Sequence, residues 1–153
     1  MALSPLKLLL ADDDVDDCYL FKVAVSAINK TAQISTIHDG TQLMNLLYQH
    51  DIVLPDMLFL DINMPRKNGF ECLTEIKADK KFAGLQIIIY STSLDPTMVN
   101  LFHEKGARYY IQKPAEFTKL VSVIGQAIAL ISQSDRTITP KEQFIITPQT
   151  ATK

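Results

Sequence analysis

Residues 56–69 read DMLFLDINMPRKNG, and the rest of the chain is interpreted around this stretch. The unbroken apolar run from Met57 to Leu60 is typical of a strand buried on both faces, as in a parallel sheet covered by helices. Asp61 follows at the carboxyl end of that strand, where open α/β sheets place ligands and reactive groups. The asparagines, proline and glycine that come next predict a loop. Because an aspartate after a strand often only caps the next helix, the role of Asp61 depends on the other strand ends.

Four further predicted strands alternate with helical patterns along the chain. They cover residues 6–11, 33–37, 85–90 and 108–111. After each predicted strand, apolar residues recur at spacings of three and four, the pattern of an amphipathic helix. Five strands alternating with five helices at short intervals imply right-handed crossovers. The sequence therefore predicts an α/β fold of the (βα)5, flavodoxin-like type, with a doubly wound five-stranded parallel sheet.

The composition is that of an ordinary globular protein of one domain. We assign residues 1–132 to this domain and residues 133–153 to a C-terminal tail that is extended or packed on it. The net charge of −2 provides no basic field for nucleic acid, so we expect no DNA binding by this chain alone. The first apolar run is too short for a signal peptide or a membrane span, so we expect a cytoplasmic protein without a membrane partner.

The predicted topology brings polar side chains from four strands to one edge of the sheet. That edge carries Asp12, Asp13, Asp61, Ser91 and Lys113. Carboxylates ~4 Å apart repel by roughly 4 kcal/mol per pair at an effective dielectric constant of about 20, so a cation is needed to offset them. Mg²⁺ prefers oxygen ligands of this kind. A lysine and a hydroxyl opposite the metal would complete a phosphoryl pocket, which makes Asp61 the candidate nucleophile.

Four motifs along the chain resemble those of receiver domains in two-component response regulators, and of single-domain chemotaxis regulators in particular. They are LLLADDD, LDINMPRKNG, IIIYSTS and YYIQKP, and they span about residues 6–132. The resemblance implies a bacterial phosphorelay protein that catalyses only its own phosphotransfer and dephosphorylation. It implies that Asp61 accepts a phosphoryl group from a sensor histidine kinase or phosphotransfer protein. It also implies that Mg²⁺ is held by Asp12, Asp13, Asp61 and the backbone carbonyl of Asn63.

The same resemblance implies roles for residues at the ends of the last two predicted strands. Ser91 matches the switch hydroxyl, Lys113 the lysine that pairs with the phosphate, and Tyr110 the aromatic residue that swings inward on activation. The bond between Lys113 and Pro114 matches a cis peptide of the family. Because no output domain follows in this sequence, we expect the output to be a phosphorylation-dependent contact with an unidentified protein, made by a monomer or weak homodimer.

Three other functions fit parts of the pattern. A haloacid-dehalogenase-like phosphatase would use Asp12 as its nucleophile, but it needs a cap domain for which there is little room. A flavodoxin-like electron carrier has the same order of strands and helices. It would need a phosphate loop rich in serine, threonine and glycine after the first strand, where this chain is acidic. A pseudo-receiver that binds a partner without phosphorylation remains an alternative.

The tail contains one apolar cluster, residues 144–146, with a proline on either side. The last predicted helix carries a second apolar row, Val123, Ala127 and Leu130, beside its core stripe, and such a helix normally has cover on both sides. We therefore predict that residues 144–146 pack on the domain, in the same chain or in a second copy. Effective concentration favours packing within the same chain. A disordered tail is the alternative.

Overall fold

The computed structural model of the chain describes residues 5–133 and 138–148. A parallel sheet forms its centre, and every pair of neighbouring strands is parallel. The strands are β1 Lys7–Ala11, β2 Gln33–Ile37, β3 Met57–Leu60, β4 Gln86–Ser91, β5 Tyr109–Gln112 and β6 Ile145–Ile146. Their order across the sheet is β2-β1-β3-β4-β5-β6.

In the described residues, five α-helices cover the two faces of the sheet. They are α1 Val15–Ile28, α2 Gly40–Leu47, α3 Gly69–Lys77, α4 Pro96–Glu104 and α5 Phe117–Ser132. Helices α1 and α5 contribute to the core on one face, and α2, α3 and α4 contribute to the core on the other. This arrangement confirms the predicted doubly wound fold. Within the described ranges, no helix combines the length and apolar character needed to cross a bilayer.

Strand β3 explains why the apolar run at residues 57–60 has no polar interruption. Its side chains alternate between the two cores: Leu58 and Leu60 enter one, while Met57 and Phe59 enter the other. All four residues are buried. A strand in the middle of a parallel sheet with helices on both faces therefore has no solvent-facing row. The first charged side chain after it, Asp61, lies at the edge of the sheet.

Side-chain caps begin four of the five described helices that follow this edge, and α5 is the exception. Asp14, Asp39, Asn68 and Asp95 each accept a backbone N–H from the first turn of the next helix. Such caps satisfy N–H groups that have no partner within the helix. These four loops therefore end at a capped helical turn.

The sixth strand, β6, is a difference from the five predicted strands. It pairs with β5 in the register Tyr110 to Ile145 and Ile111 to Ile146. Phe144 is buried in the core beneath α4, whereas Ile146 is buried in the core beneath α5. The apolar side chains of the tail therefore divide between the two faces of the sheet. Two residues are too few to carry a strand pattern, so local sequence did not predict β6.

Candidate functional site

Three carboxylates meet at the carboxyl edge of the sheet. One side-chain oxygen from each of Asp12, Asp13 and Asp61 lies within 4.8 Å of the other two. Asp12 follows β1 and Asp61 follows β3, and these strands are neighbours that pair Ala11 with Leu60. Asp12 and Asp61 are buried, whereas Asp13 is exposed. The cluster is therefore open to solvent on the side of Asp13.

The loop after β3 folds back over Asp61. The Gly69 N–H donates a hydrogen bond to the carbonyl of Ile62 at 2.8 Å, and a Cβ atom on Gly69 would overlap the carbonyl oxygen of Asp61. Only glycine permits so close an approach of two backbone segments. The backbone N–H of Asn63 donates to the Asp61 carboxylate. The role of the Asn63 backbone carbonyl as a metal ligand stays a prediction.

Lys113 reaches the carboxylates from the end of β5. Its Nζ lies 2.7 Å from Asp12 Oδ2, 2.9 Å from Asp17 Oδ2 and 3.9 Å from Asp61 Oδ2. The Lys113–Pro114 bond is trans, which corrects the cis bond that the resemblance implied. Trans is the form that most X–Pro bonds favour, by about 0.5–1 kcal/mol. The Lys113 backbone N–H donates to the Ser91 carbonyl at 2.7 Å.

Asp17 is a site residue that the sequence did not suggest. It lies in the first turn of α1, and its N–H donates to the cap residue Asp14. A helix that begins directly at an acidic edge presents its first turn to that edge, and this position is the signal that could have identified Asp17. The ion pair with Lys113 joins residues that are 96 positions apart, so no local pattern contains it.

Burial and mutual repulsion dominate the electrostatics of the cluster. Burial, followed by the charge of Asp12, raises the pKa of Asp61 from 3.8 to about 7, against the opposing effects of Lys113 and the Asn63 N–H. Burial also raises the pKa of Asp12, although Lys113 lies beside it. Burial alone would lower the pKa of Lys113, but its ion pair with Asp12 and its hydrogen bond to Asp17 outweigh this and raise it. The positive charge of the Lys113 ammonium therefore does not offset the negative charges of the carboxylates around it.

The residues of the cluster fit a divalent metal ion. Asp12 Oδ2 is fully buried and has no aligned hydrogen bond to any residue in the described ranges, although it is ion-paired with Lys113. Buried charges normally need pairing or a metal. Carboxylate oxygens are hard ligands of the kind that such ions prefer. Asp12, Asp13 and Asp61 are therefore the side chains that would hold the ion.

Ser91 and Tyr110 lie beside the cluster and are connected through Ser93. Ser91 ends β4 and is fully buried, and its Oγ accepts the Ser93 N–H at 3.2 Å. Tyr110 is also fully buried, and its hydroxyl donates to the Ser93 carbonyl at 2.6 Å. The tyrosine ring thus lies inside the fold in this structure.

Comparisons with known proteins agree with this geometry. The family of the response regulator receiver domain matches residues 8–125. The chemotaxis protein CheY of Listeria monocytogenes is 29% identical over 122 residues, which are 80% of this chain and 98% of CheY. The phosphorylated cyanobacterial phytochrome response regulator RcpA has a TM-score of 0.79 at 25% identity, over 85% of this chain and 96% of RcpA. The Mn(2+)-bound response regulator Rcp1 has the same fold, with a TM-score of 0.74 at 24% identity, over 89% of this chain and 100% of Rcp1.

Some relatives are much longer than this chain. RcaC of Microchaete diplosiphon is 31% identical over 120 residues, which are 78% of this chain but 18% of RcaC. The matching part of the probable C4-dicarboxylate response regulator DctR of Bacillus subtilis is 51% of that protein. The chain thus spans only part of the length of these relatives. With the sheet order, the acidic edge and a family match over residues 8–125 in agreement, the chain belongs to the response regulator receiver domain family.

Proposed function

We propose that this chain is a phosphorelay response regulator in which Asp61 accepts a phosphoryl group from a sensor histidine kinase or a phosphotransfer protein. The observation that carries the proposal is the position of Asp61, in contact range of two carboxylates and of the Lys113 ammonium. The phosphorylated form then binds an output protein. The chain acts as a phosphoacceptor and catalyses only its own phosphotransfer and dephosphorylation.

The proposed reaction forms one bond and breaks one. A carboxylate oxygen of Asp61 attacks phosphorus, and the bond between phosphorus and the imidazole nitrogen of the donor phosphohistidine breaks. Lys113 leaves Asp12 and pairs with an oxygen of the transferred group, while the Ser91 hydroxyl donates to another. Phosphoryl transfer depends mainly on such positioning and charge neutralisation.

Mg²⁺ is the metal that we propose for the site. Asp12, Asp13, Asp61 and the Asn63 carbonyl would hold it, and it would neutralise charge on the phosphoryl oxygens. Mg²⁺ is usually bound by one or two carboxylates and retains several waters. The exposure of Asp13 supports this choice because it leaves a solvent-facing side for those waters.

Identification of the labelled carboxylate tests the proposed function. The protein is incubated with acetyl phosphate and Mg²⁺, and the modified residue is located by mass spectrometry. Label on Asp61 supports the proposal. Label on Asp12 would instead indicate a haloacid-dehalogenase-like phosphatase. Failure of the folded protein to take up label or to bind beryllofluoride would indicate a pseudo-receiver.

Ser91→Ala should leave phosphorylation of Asp61 intact but remove its effect on the binding of an output partner. The substitution removes the hydroxyl that accepts the Ser93 N–H, but it leaves Asp61 and Lys113 in place. We expect labelling of Asp61 to persist and binding of an output partner to lose its dependence on phosphorylation. A pull-down with beryllofluoride-treated protein measures the second effect, and Ser91→Thr serves as the control that keeps a hydroxyl. Partner capture that still responds to beryllofluoride in Ser91→Ala would contradict the role of Ser91.

Asp17→Asn should strengthen the pairing of Lys113 with the phosphoryl group. Asp17 holds the ammonium at 2.9 Å, whereas Asp61 lies 3.9 Å away, so Asp17 competes for the lysine. We expect beryllofluoride to bind roughly two- to fivefold more tightly, the range typical of a partly exposed ion pair. Asp16→Asn removes the same charge from the adjacent exposed position. Equal effects of the two substitutions would mean that the change in net charge, and not loss of the contact with Lys113, alters the affinity for beryllofluoride.

A further inference from the structure

We propose that residues 139–147 form an intramolecular strap whose docking on β5 is coupled to the buried position of Tyr110, so that phosphorylation strengthens the docking. The inference deepens the proposed function and rests on phosphorylation of Asp61. It concerns the chain's own residues at the edge strand of the sheet. The coupling runs through a series of direct contacts from Ser91 to Phe144.

The first end of the strap is anchored at Thr139, which is buried. Its hydroxyl oxygen accepts a hydrogen bond from Arg108 Nε at 3.0 Å, and its carbonyl accepts one from His103 Nε2 at 2.7 Å. Arg108 is itself buried, and its Nη1 donates to Gln86 Oε1 at 2.7 Å. A buried guanidinium is costly unless its N–H groups have partners. Thr139 therefore supplies a partner that the body of the domain needs.

The middle of the strap contacts Tyr110 in two ways. The carbonyl of Phe144 accepts the Tyr110 backbone N–H at 3.0 Å, which begins the pairing of β5 with β6. The Phe144 ring lies with its centroid 6.2 Å from the Tyr110 ring and 4.8 Å from the His103 ring. Phe144 is 1% exposed and Tyr110 is 0% exposed. The Phe144 ring therefore packs against the buried Tyr110 ring, and undocking of the strap would remove this contact.

The far end of the strap is held by α5. Gln126 Nε2 donates to the carbonyl of Thr147 at 2.8 Å, and Ile146 is buried in the core beneath α5. The strap is thus attached to α4 and α5 and paired with β5 between them. In the docked state it occupies the free edge of β5, so an output partner meets the strap at that edge.

The other side of Tyr110 is connected to the phosphorylation site. Its hydroxyl donates to the Ser93 carbonyl, and the Ser93 N–H donates to Ser91 Oγ. The Ser91 hydroxyl can donate its proton to a phosphoryl oxygen while its oxygen still accepts from Ser93. Donation by a hydroxyl strengthens it as an acceptor, because hydrogen bonds in a chain polarise one another. A phosphoryl group on Asp61 should therefore stabilise the present position of Ser93, and with it the buried Tyr110 and the docked strap.

Amide hydrogen exchange of the full chain tests the direction of the coupling. The Tyr110 amide reports docking because it donates to the strap. Addition of beryllofluoride with Mg²⁺ should slow exchange of this amide roughly fivefold or more, the lower end of ordinary coupling between sites. An unchanged or faster rate in protein that has bound beryllofluoride at Asp61 would overturn the proposal.

Tyr110→Phe tests the link between the switch and the strap without any phosphoryl chemistry. The substitution removes the hydrogen bond to Ser93 but keeps the ring. Exchange at position 110 and in β6 should become faster in the absence of beryllofluoride. Unchanged rates would overturn the link. This experiment does not depend on phosphorylation of Asp61. Failure of the proposed coupling is therefore distinguishable from failure of the proposed function.

Phe144→Ala tests whether weaker docking of the strap also weakens the binding of beryllofluoride. Because coupling between two sites is mutual, loss of the strap's buried ring should weaken beryllofluoride binding about as much as beryllofluoride slows exchange at Tyr110. Ile138→Ala is the matched control, since Ile138 belongs to the same described segment and is 77% exposed. Equal beryllofluoride affinities for the wild type and a folded Phe144→Ala variant would contradict the coupling.

Discussion

Asp61→Asn is expected to abolish phosphorylation by acetyl phosphate or by a kinase. The amide that replaces the carboxylate has no oxygen nucleophile able to form a stable acyl phosphate. The substitution preserves the shape of the side chain and removes a buried charge, so the variant should fold. Mass spectrometry of the protein after incubation with acetyl phosphate and Mg²⁺ measures the loss.

Two further variants define how the Asp61→Asn result is interpreted. Asp51→Asn makes the same chemical change at a side chain that is 98% exposed, and its labelling should equal that of the wild type. Asp12→Asn should weaken Mg²⁺ binding and so slow labelling, while the label remains on Asp61. Undiminished labelling of the Asp61→Asn protein would show that another residue is the phosphoacceptor.

Asp13→Asn is expected to raise the melting temperature of the metal-free protein. The charge of Asp13 adds to the factors that raise the pKa of Asp61, after burial and the charge of Asp12. Removal of Asp13's charge therefore relieves repulsion in a site whose strain is retained for function. The same substitution should reduce the stabilisation that Mg²⁺ provides by mass action, which is about 2.7 kcal/mol at one hundred times the dissociation constant. Thermal unfolding with and without Mg²⁺ measures both effects.

The pH dependence of the metal-free protein gives this prediction a second readout. The pKa of Asp61 is raised from 3.8 to about 7, so between these values the folded protein keeps a proton that the unfolded chain has lost. The stability contributed by Asp61 is complete below pH ~4, falls as the pH rises and is lost by pH ~7, at about 1.4 kcal/mol for each unit of pKa shift. The gain from Asp13→Asn should be largest above pH ~7. A melting temperature lowered by Asp13→Asn both with and without Mg²⁺ would make Asp13 a structural residue.

The sequence by itself was sufficient for the first five strands of the sheet, the helices between them and the position of the acidic edge. The run at residues 57–60 predicted a strand buried on both faces because a central strand of a covered parallel sheet has no polar row. The same topology placed Asp12 and Asp61 together, since parallel neighbours end at one edge. These inferences depend on short-range periodicity, which is a property of local sequence, and on the right-handed crossovers that are general to parallel sheets.

Only the tertiary structure decided the contacts between distant parts of the chain. Asp17 pairs with Lys113 across 96 positions, and β6 adds to β5 although its two residues carry no periodic pattern. The apolar residues of the tail contact both faces of the sheet, since Phe144 is buried beneath α4 and Ile146 beneath α5. The reason is that a side chain's partner depends on the space left after all elements have packed. That space is set by the whole fold and is not contained in any single stretch of sequence.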